Sequence, residues 1–231
     1  VPSFACMKGH LTTWIVVLMV VATSCQRDRS LGREQASGSH WSIDSLLNSN
    51  HTPTWESAVE MAQVLAASDE RAHLLQIGWS DVGRPVHALV LAGGGAATLA
   101  EAADSEDGIQ ALEAWSKERP KGEALVLVNN AIHPGEPCGV NASLALAFQW
   151  LQSPTTPEHP LFAASWVFVP QYNVGGASRR NCCTRANQEG PESYGFRGNA
   201  ANLDLNRDFI KMDSRNAVSY THLRAHETPC H

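Results

Sequence analysis

Ala124-Leu-Val-Leu-Val-Asn-Asn-Ala-Ile-His133-Pro-Gly-Glu136 is the stretch on which the fold turns. Ala124 to Val128 is an apolar run of the kind found in strands buried on both faces. Gly139 to Leu151, rich in Ala and Leu, reads as a helix that opens just after the turn. His133 and Glu136 therefore fall at the exit of a strand, where ligands gather in open α/β sheets. A His and a Glu three residues apart in that position can turn an imidazole nitrogen and a carboxylate toward one point. Two His and one Glu make a catalytic zinc set that leaves a coordination position open for water. Pro134-Gly135 is also ordinary turn chemistry, so these four residues alone fit a surface turn equally well.

The flanking text supplies the rest of an α/β pattern. Thr54 can cap a helix starting at Trp55, with Glu56 in its first turn where the helix dipole favours an anion. Val59, Ala62, Leu65 and Ala66 recur at helical spacing as far as Ser68 and read as a core-packing face. Leu74–Trp79 and Val86–Ala92 read as two strands of a hairpin joined by the turn Ser80–Pro85, with Gly93 to Gly95 ending the pair. A short helix follows over Ile109–Lys117, and Trp166–Val169 is a strand ended by Pro170. Strands alternating with helices of this length predict an α/β fold, a mixed β-sheet flanked by helices on both faces.

About seventy residues beyond the first motif stands Asn202-Leu-Asp-Leu-Asn-Arg-Asp-Phe209. Together the two segments resemble the zinc carboxypeptidases, the carboxypeptidase A/B-like metallopeptidases, over roughly residues 50 to 213. The resemblance implies zinc as cofactor, with His133 and Glu136 as two of its ligands. It implies that Asp204 holds the second nitrogen of His133, which fixes the tautomer of a ligating His and raises its basicity. Asn206 and Arg207 match the pair that grips the terminal carboxylate of a peptide, a group that the planar fork of Arg fits bidentately. A structural salt bridge from Arg207 to Asp204 or Asp208 is the competing reading. Asn173-Val-Gly-Gly176 resembles the family's Asn-Pro-Asp-Gly turn, with Val174 and Gly175 in place of Pro and Asp. The family places an oxyanion-stabilising Arg in this region. Arg185 is the choice here, Arg180 the second candidate, and a solvated basic loop the bland alternative.

The resemblance thus implies a zinc-dependent carboxypeptidase acting on peptides with a free C-terminal carboxylate. In the family the third ligand, a His, and the general-base Glu lie well downstream of Asp-x-Asn-Arg. Here about 24 residues follow Arg207, so the expectation is an active longer parent and an inactive fragment. A zinc amidase or deacylase of N-acyl amino acids, and a non-enzymatic anchored binding lipoprotein, are the alternatives. The other histidines examined, His40, His51, His73, His87 and His159, lie in polar or strand text and read as surface or satisfied side chains.

At 231 residues, 43% hydrophobic and 17% charged, the chain is globular in composition. A net charge of -6 argues against a nucleic-acid partner, whose footprint is basic and clustered. Residues 1–6 read as translated leader and 7–25 as a secretory signal, whose apolar Leu11–Ala22 stretch falls short of the roughly 20 residues of a spanning helix. Cys25 after small residues resembles a bacterial lipobox, although Ala22 stands where Leu is usual, and simple signal cleavage is the other reading. A lipid on Cys25 would hold an exported protein at a membrane, periplasmic or on the outer membrane, without spanning it. Residues 26–50 read as a flexible tether and 51–215 as the amino-terminal part of the catalytic domain. The stretch 216–231 reads as a non-native tail, because Val218–Thr228 resembles a translated sequencing-adapter artefact. His222, His226 and Glu227 in that tail carry metal-like spacing. Of six cysteines, Cys138, Cys182 and Cys183 fall in the domain, with pairing left open.

Overall fold

The computed structural model describes residues 42–93, 96–102, 108–120 and 122–219. Strand β1 (Ala72–Trp79) turns back on β2 (Pro85–Leu91), and β3 (Ala124–Asn129) and β4 (Ala164–Val169) complete a sheet of order β1-β2-β4-β3. β1 with β2 and β2 with β4 are antiparallel, whereas β3 and β4 are parallel. A parallel pair needs a crossover, and α5 (Cys138–Leu151) supplies it.

Alternation along the strands sends side chains to two cores. Leu75, Ile77, Val86, Ala88, Val90, Val167 and Val169 point to one, where α3 (Ala97–Glu101) and α4 (Gly108–Glu118) pack. Leu74, Leu89, Leu91 and Phe168 point to the other, under α1 (Ile43–Asn48), α2 (Trp55–Ser68) and α5. The mixed sheet with helices on both faces is therefore observed. Helix α2 starts at Trp55 because Thr54 accepts a hydrogen bond from Ser57 N–H, and it buries Ala58, Ala62 and Leu65. Val59 and Ala66 are half-buried at the edge of the same core.

Three expectations are corrected. β3 is not buried on both faces: Leu125 to Asn129 are half-buried and Ala124 is exposed, because among the described residues β3 is paired only on its β4 side. The stretch 26–50 is not tether throughout. Ser42 and Ser45 form a reciprocal capping box that starts α1, and Leu46 is buried against α5. Asn141 of α5 donates to the carbonyls of Leu46 and His51 and accepts from Thr52 Oγ1, at 2.7, 3.0 and 2.7 Å. Nor does the domain end at 215. Residues 215–219 are helical, Asn216 and Ala217 are buried, and Asn216 Nδ2 donates to Tyr172 O at 2.7 Å. The leader, the signal segment, Cys25, the tether up to residue 41, and His222, His226 and Glu227 lie outside the described residues. Among the described residues no helix is long and apolar enough to cross a membrane.

The carboxyl ends of the parallel pair position everything that follows. Pairing continues past β3 and β4 through Asn130 N to Val169 O, Tyr172 N to Asn130 O and Asn173 N to Ala131 O. The loop carrying His133 and the turn opened by Asn173 therefore leave the sheet side by side. The Asn141 bonds are the anchor of α1, so Asn141→Ala is expected to cost about 1–3 kcal/mol in urea unfolding and to make the 42–52 segment the first site of limited proteolysis. Unchanged cleavage there would contradict this account.

Candidate active site

His133 is held from three directions. Its loop closes by Glu136 N donating to His133 O at 2.8 Å, Gly195 N donates to Pro134 O at 3.1 Å, and Asn173 Nδ2 donates to Ile132 O at 3.1 Å. Asn173 is fully buried, accepts from Gly176 N through Oδ1, and also donates to Arg197 O. It thus ties the His133 loop to the segment that carries Arg197.

His133 Nε2 lies 2.8 Å from Asp204 Oδ1, across 71 residues of sequence. His133 Nδ1 lies 3.5 Å from Glu136 Oε1. An ionised carboxylate only accepts, so Asp204 sets the tautomer: Nε2–H is donated and the Nδ1 lone pair faces Glu136. Asp204 itself starts a 3₁₀ turn (Leu205–Arg207) by accepting from Asn206 N–H at 3.0 Å. Arg197 donates to Asp204 Oδ2 through Nε at 3.1 Å and Nη2 at 2.9 Å. Desolvation works against the charge on Asp204, but the hydrogen bonds from His133, Arg197 and Asn206 outweigh it and hold its pKa below the usual 3.8.

Arg185 Nη2 sits 2.9 Å from Glu136 Oε1. Its stem lies over Gly135, where a side-chain Cβ would come within 2.7 Å of Arg185 Cδ. Tyr194, fully buried, receives Arg185 N–H on its hydroxyl, and Gln188 Nε2 donates to Gly135 O, so this loop closes over the His133 turn. Cys182 and Cys183, three and two positions before Arg185, are disulfide-bonded to each other, and Cys138 is free and exposed. Arg180 points elsewhere: its guanidinium donates to the carbonyls of Thr52, Pro53 and Ser193 and is committed to the loop framework.

Arg197 went unnoticed in the sequence. Nη1 of this residue is 4.0 Å from Glu136 Oε1, so it faces both carboxylates. The available signal was its place as the last arginine before Asp204, in a Gly-Asn stretch able to fold back. Asn206 and Arg207 are exposed at the surface of the 3₁₀ turn. Arg207 Nη1 donates to Asn206 O at 3.2 Å, and it pairs with neither Asp204 nor Asp208 among the described residues. Asp208 instead accepts from Asp213 N and from Ser214 N and Oγ. The structural salt bridge considered for Arg207 is not formed among the described residues.

The donor chemistry at His133 and Glu136 fits zinc: an imidazole nitrogen and a carboxylate oxygen converge, and a carboxylate holds the other imidazole nitrogen. Among the described residues no group of three or more His, Cys, Asp or Glu side chains is assembled for a metal.

The family model for zinc carboxypeptidase matches residues 58–231, and the chain belongs to that family. Among solved structures it is similar to a metallo-carboxypeptidase from Burkholderia cenocepacia, with 16% identity and a TM-score of 0.50, covering 78% of this chain and 39% of that one. It is also similar to a metallo-carboxypeptidase from Pseudomonas aeruginosa in complex with (2-guanidinoethylmercapto)succinic acid, with 18% identity, a TM-score of 0.48, and coverage of 75% and 36%. The chain thus spans less than two fifths of the length of either relative. No curated protein matches it.

Two outcomes follow from this geometry. A Cβ on Gly195 would meet Pro134 Cβ at 2.4 Å, Gly176 O at 2.7 Å and Ala177 Cα at 3.0 Å. Gly195→Ala is therefore expected to lower stability by about 1–3 kcal/mol in denaturant unfolding, and a neutral effect would show that the His133 loop is not wedged there. Asp204 has a depressed pKa, so its stabilising contribution is present above the ordinary carboxylate value and is lost as pH falls through the lower folded value. The gap in urea midpoint between the natural chain and Asp204→Asn should be constant above about pH 5 and narrow steadily below it. A gap that widens on acidification would reverse the assignment.

Proposed function

We propose that this chain forms the amino-terminal part of the catalytic unit of a zinc-dependent metallocarboxypeptidase, which removes C-terminal residues from peptides bearing a free carboxylate. One observation carries the reading: His133, Glu136, Asp204 and Arg207 come from two segments about seventy residues apart and are joined through one 2.8 Å hydrogen bond. Family membership supports both the zinc and the reaction class.

In this reading His133 Nδ1 and Glu136 hold the metal, and Asp204 keeps the imidazole in the ligating tautomer. Zinc held there would supply Lewis acidity toward a bound water and the scissile carbonyl. Arg207, assisted by Asn206, takes the terminal carboxylate of the peptide in a bidentate grip, so that only the last peptide bond reaches the metal ligands. Arg185 provides positive charge where the carbonyl oxygen becomes an oxyanion, and Arg197 is its competitor for that role. A third metal ligand and a general base are further requirements, which the family pattern places downstream of Asp204–Arg207. Export and attachment through a lipidated Cys25 belong to the same proposal and rest on the sequence only.

In the parent, Arg207→Ala should raise KM about 10–100-fold for a peptide with a free C-terminus, the loss of a charge-assisted grip. An amidated peptide should be a poor substrate for both proteins. His133→Ala combined with Glu136→Gln should abolish zinc uptake measured by elemental analysis. Full zinc occupancy in that double variant would remove the basis of the proposal. Faster turnover of N-acyl amino acids than of peptides would favour a deacylase instead.

A further inference from the structure

Gly175 stands where the Asn-Pro-Asp-Gly turn carries its Asp, and the space beside it is filled from elsewhere. Gly175 lies in the short helix α6 (Val174–Ala177), and its φ is outside the left-handed region, so the backbone does not demand glycine. The space does. A Cβ built on Gly175 would meet Asp81 Oδ1 at 2.6 Å, Asp81 Oδ2 at 3.0 Å and Ala200 N at 2.8 Å. Asp81 belongs to the turn between β1 and β2, remote in sequence from both. Its Oδ2 accepts a hydrogen bond from Ala200 N–H at 2.6 Å, across 119 residues. Its own N–H donates to Asn216 Oδ1, and Asn216 in turn donates to Tyr172 O. Asp81 Oδ1 is buried with no hydrogen-bond partner among the described residues. A carboxylate pushed into such a place is costly unless the position itself is needed.

Ala200 lies inside a tight turn. Asn199, fully buried, accepts from Leu203 N through Oδ1 and from Asn202 N through its carbonyl, and its own N–H donates to Leu203 O. The two ends of that turn are Arg197 and Asp204, which face Glu136 and His133. The β1–β2 turn therefore reaches the candidate metal ligands by one route, Asp81 to Ala200 to Asp204.

We propose that Asp81 is a positioning residue. Its carboxylate enters through the volume left by Gly175, supplies from the β1–β2 turn the acceptor that this turn lacks, and sets the 197–204 segment so that Asp204 meets His133. The consequence for zinc rests on the function proposed above, but the Ala200 contact does not.

The test is an exchange of the two side chains: Asp81→Gly, Gly175→Asp, and both together, made in an enzyme that also carries the downstream metal ligand. Amide hydrogen exchange at Ala200 and zinc affinity by chelator competition are measured, with the thermal melt as a check on folding. Asp81→Gly should speed exchange at Ala200 about tenfold and weaken zinc about tenfold, as loss of an outer partner does. Gly175→Asp alone forces two carboxylates into one space and should be at least as damaging. The double variant should recover part of both readings relative to Asp81→Gly, since a Cβ at 175 still lies 2.8 Å from Ala200 N and that backbone must shift. Asp81→Asn, which keeps an acceptor, should retain most of the Ala200 protection even if Asp81→Gly fails to fold. Exchange at Ala200 unchanged by Asp81→Gly, or a double variant no better than Asp81→Gly, would overturn the proposal. Recovery of exchange in a chain that takes up no zinc would support the Asp81 contact and overturn the metal reading alone.

Discussion

The hydrogen bond between His133 Nε2 and Asp204 Oδ1 is the constraint on which the remainder of the site depends. It joins side chain to side chain the segment leaving β3 and the segment ending in the 3₁₀ turn. It also decides the chemistry of the imidazole, because a carboxylate on Nε2 leaves Nδ1 as the lone-pair nitrogen. Each other feature of the site serves to bring these two groups to the same place. The buried position of His133 keeps the bond out of competition with water, and this strengthens it.

The approach is made possible by missing side chains. Gly195 lets its strand of backbone touch Pro134, Gly176 lies against the carbonyls of Phe196 and Gly198, and Gly135 admits the stem of Arg185. At Gly176, and between Gly195 and the Gly176 carbonyl, backbone meets backbone, so a single methyl group forces a shift of the loops. Asn173 then stitches the layers through one amide that donates twice and accepts once. The site is thus a stack of loops resting on the carboxyl ends of β3 and β4, stiff because their polar groups are used on one another.

Charge balance explains why the stack tolerates two carboxylates at close quarters. Glu136 and Asp204 are offset by Arg185 and Arg197, each in contact with at least one of them. Arg207 is held apart from this exchange because Asp208 is saturated by Ser214 and the Asp213 amide. Its guanidinium is engaged instead with the Asn206 carbonyl at the surface of the 3₁₀ turn.

How far the sequence could be read depended on whether a signal was local. The cap at Thr54, the hairpin, the crossover helix and the mixed sheet were legible because periodicity and turn chemistry are encoded within a few residues. The His133–Glu136 and Asp204–Arg207 pairs were legible because each is a short motif. What was not legible was non-local. Arg180 and Arg185 look alike in the sequence, yet one is committed to the carbonyls of Thr52 and Pro53 and the other reaches Glu136. Arg197 offered only its place shortly before Asp204 as a sign of their tie, and residues 42–50 gave none of the Asn141 side chain that holds α1. The exposure of β3 likewise depends on which strand pairs with it, not on its apolar composition. By itself the sequence determined the elements, the family and the identity of the polar groups, since these follow from nearest-neighbour sterics and side-chain chemistry. Only the tertiary structure decided which groups meet, because contacts across seventy or more residues are selected by packing and by the satisfaction of buried polar atoms.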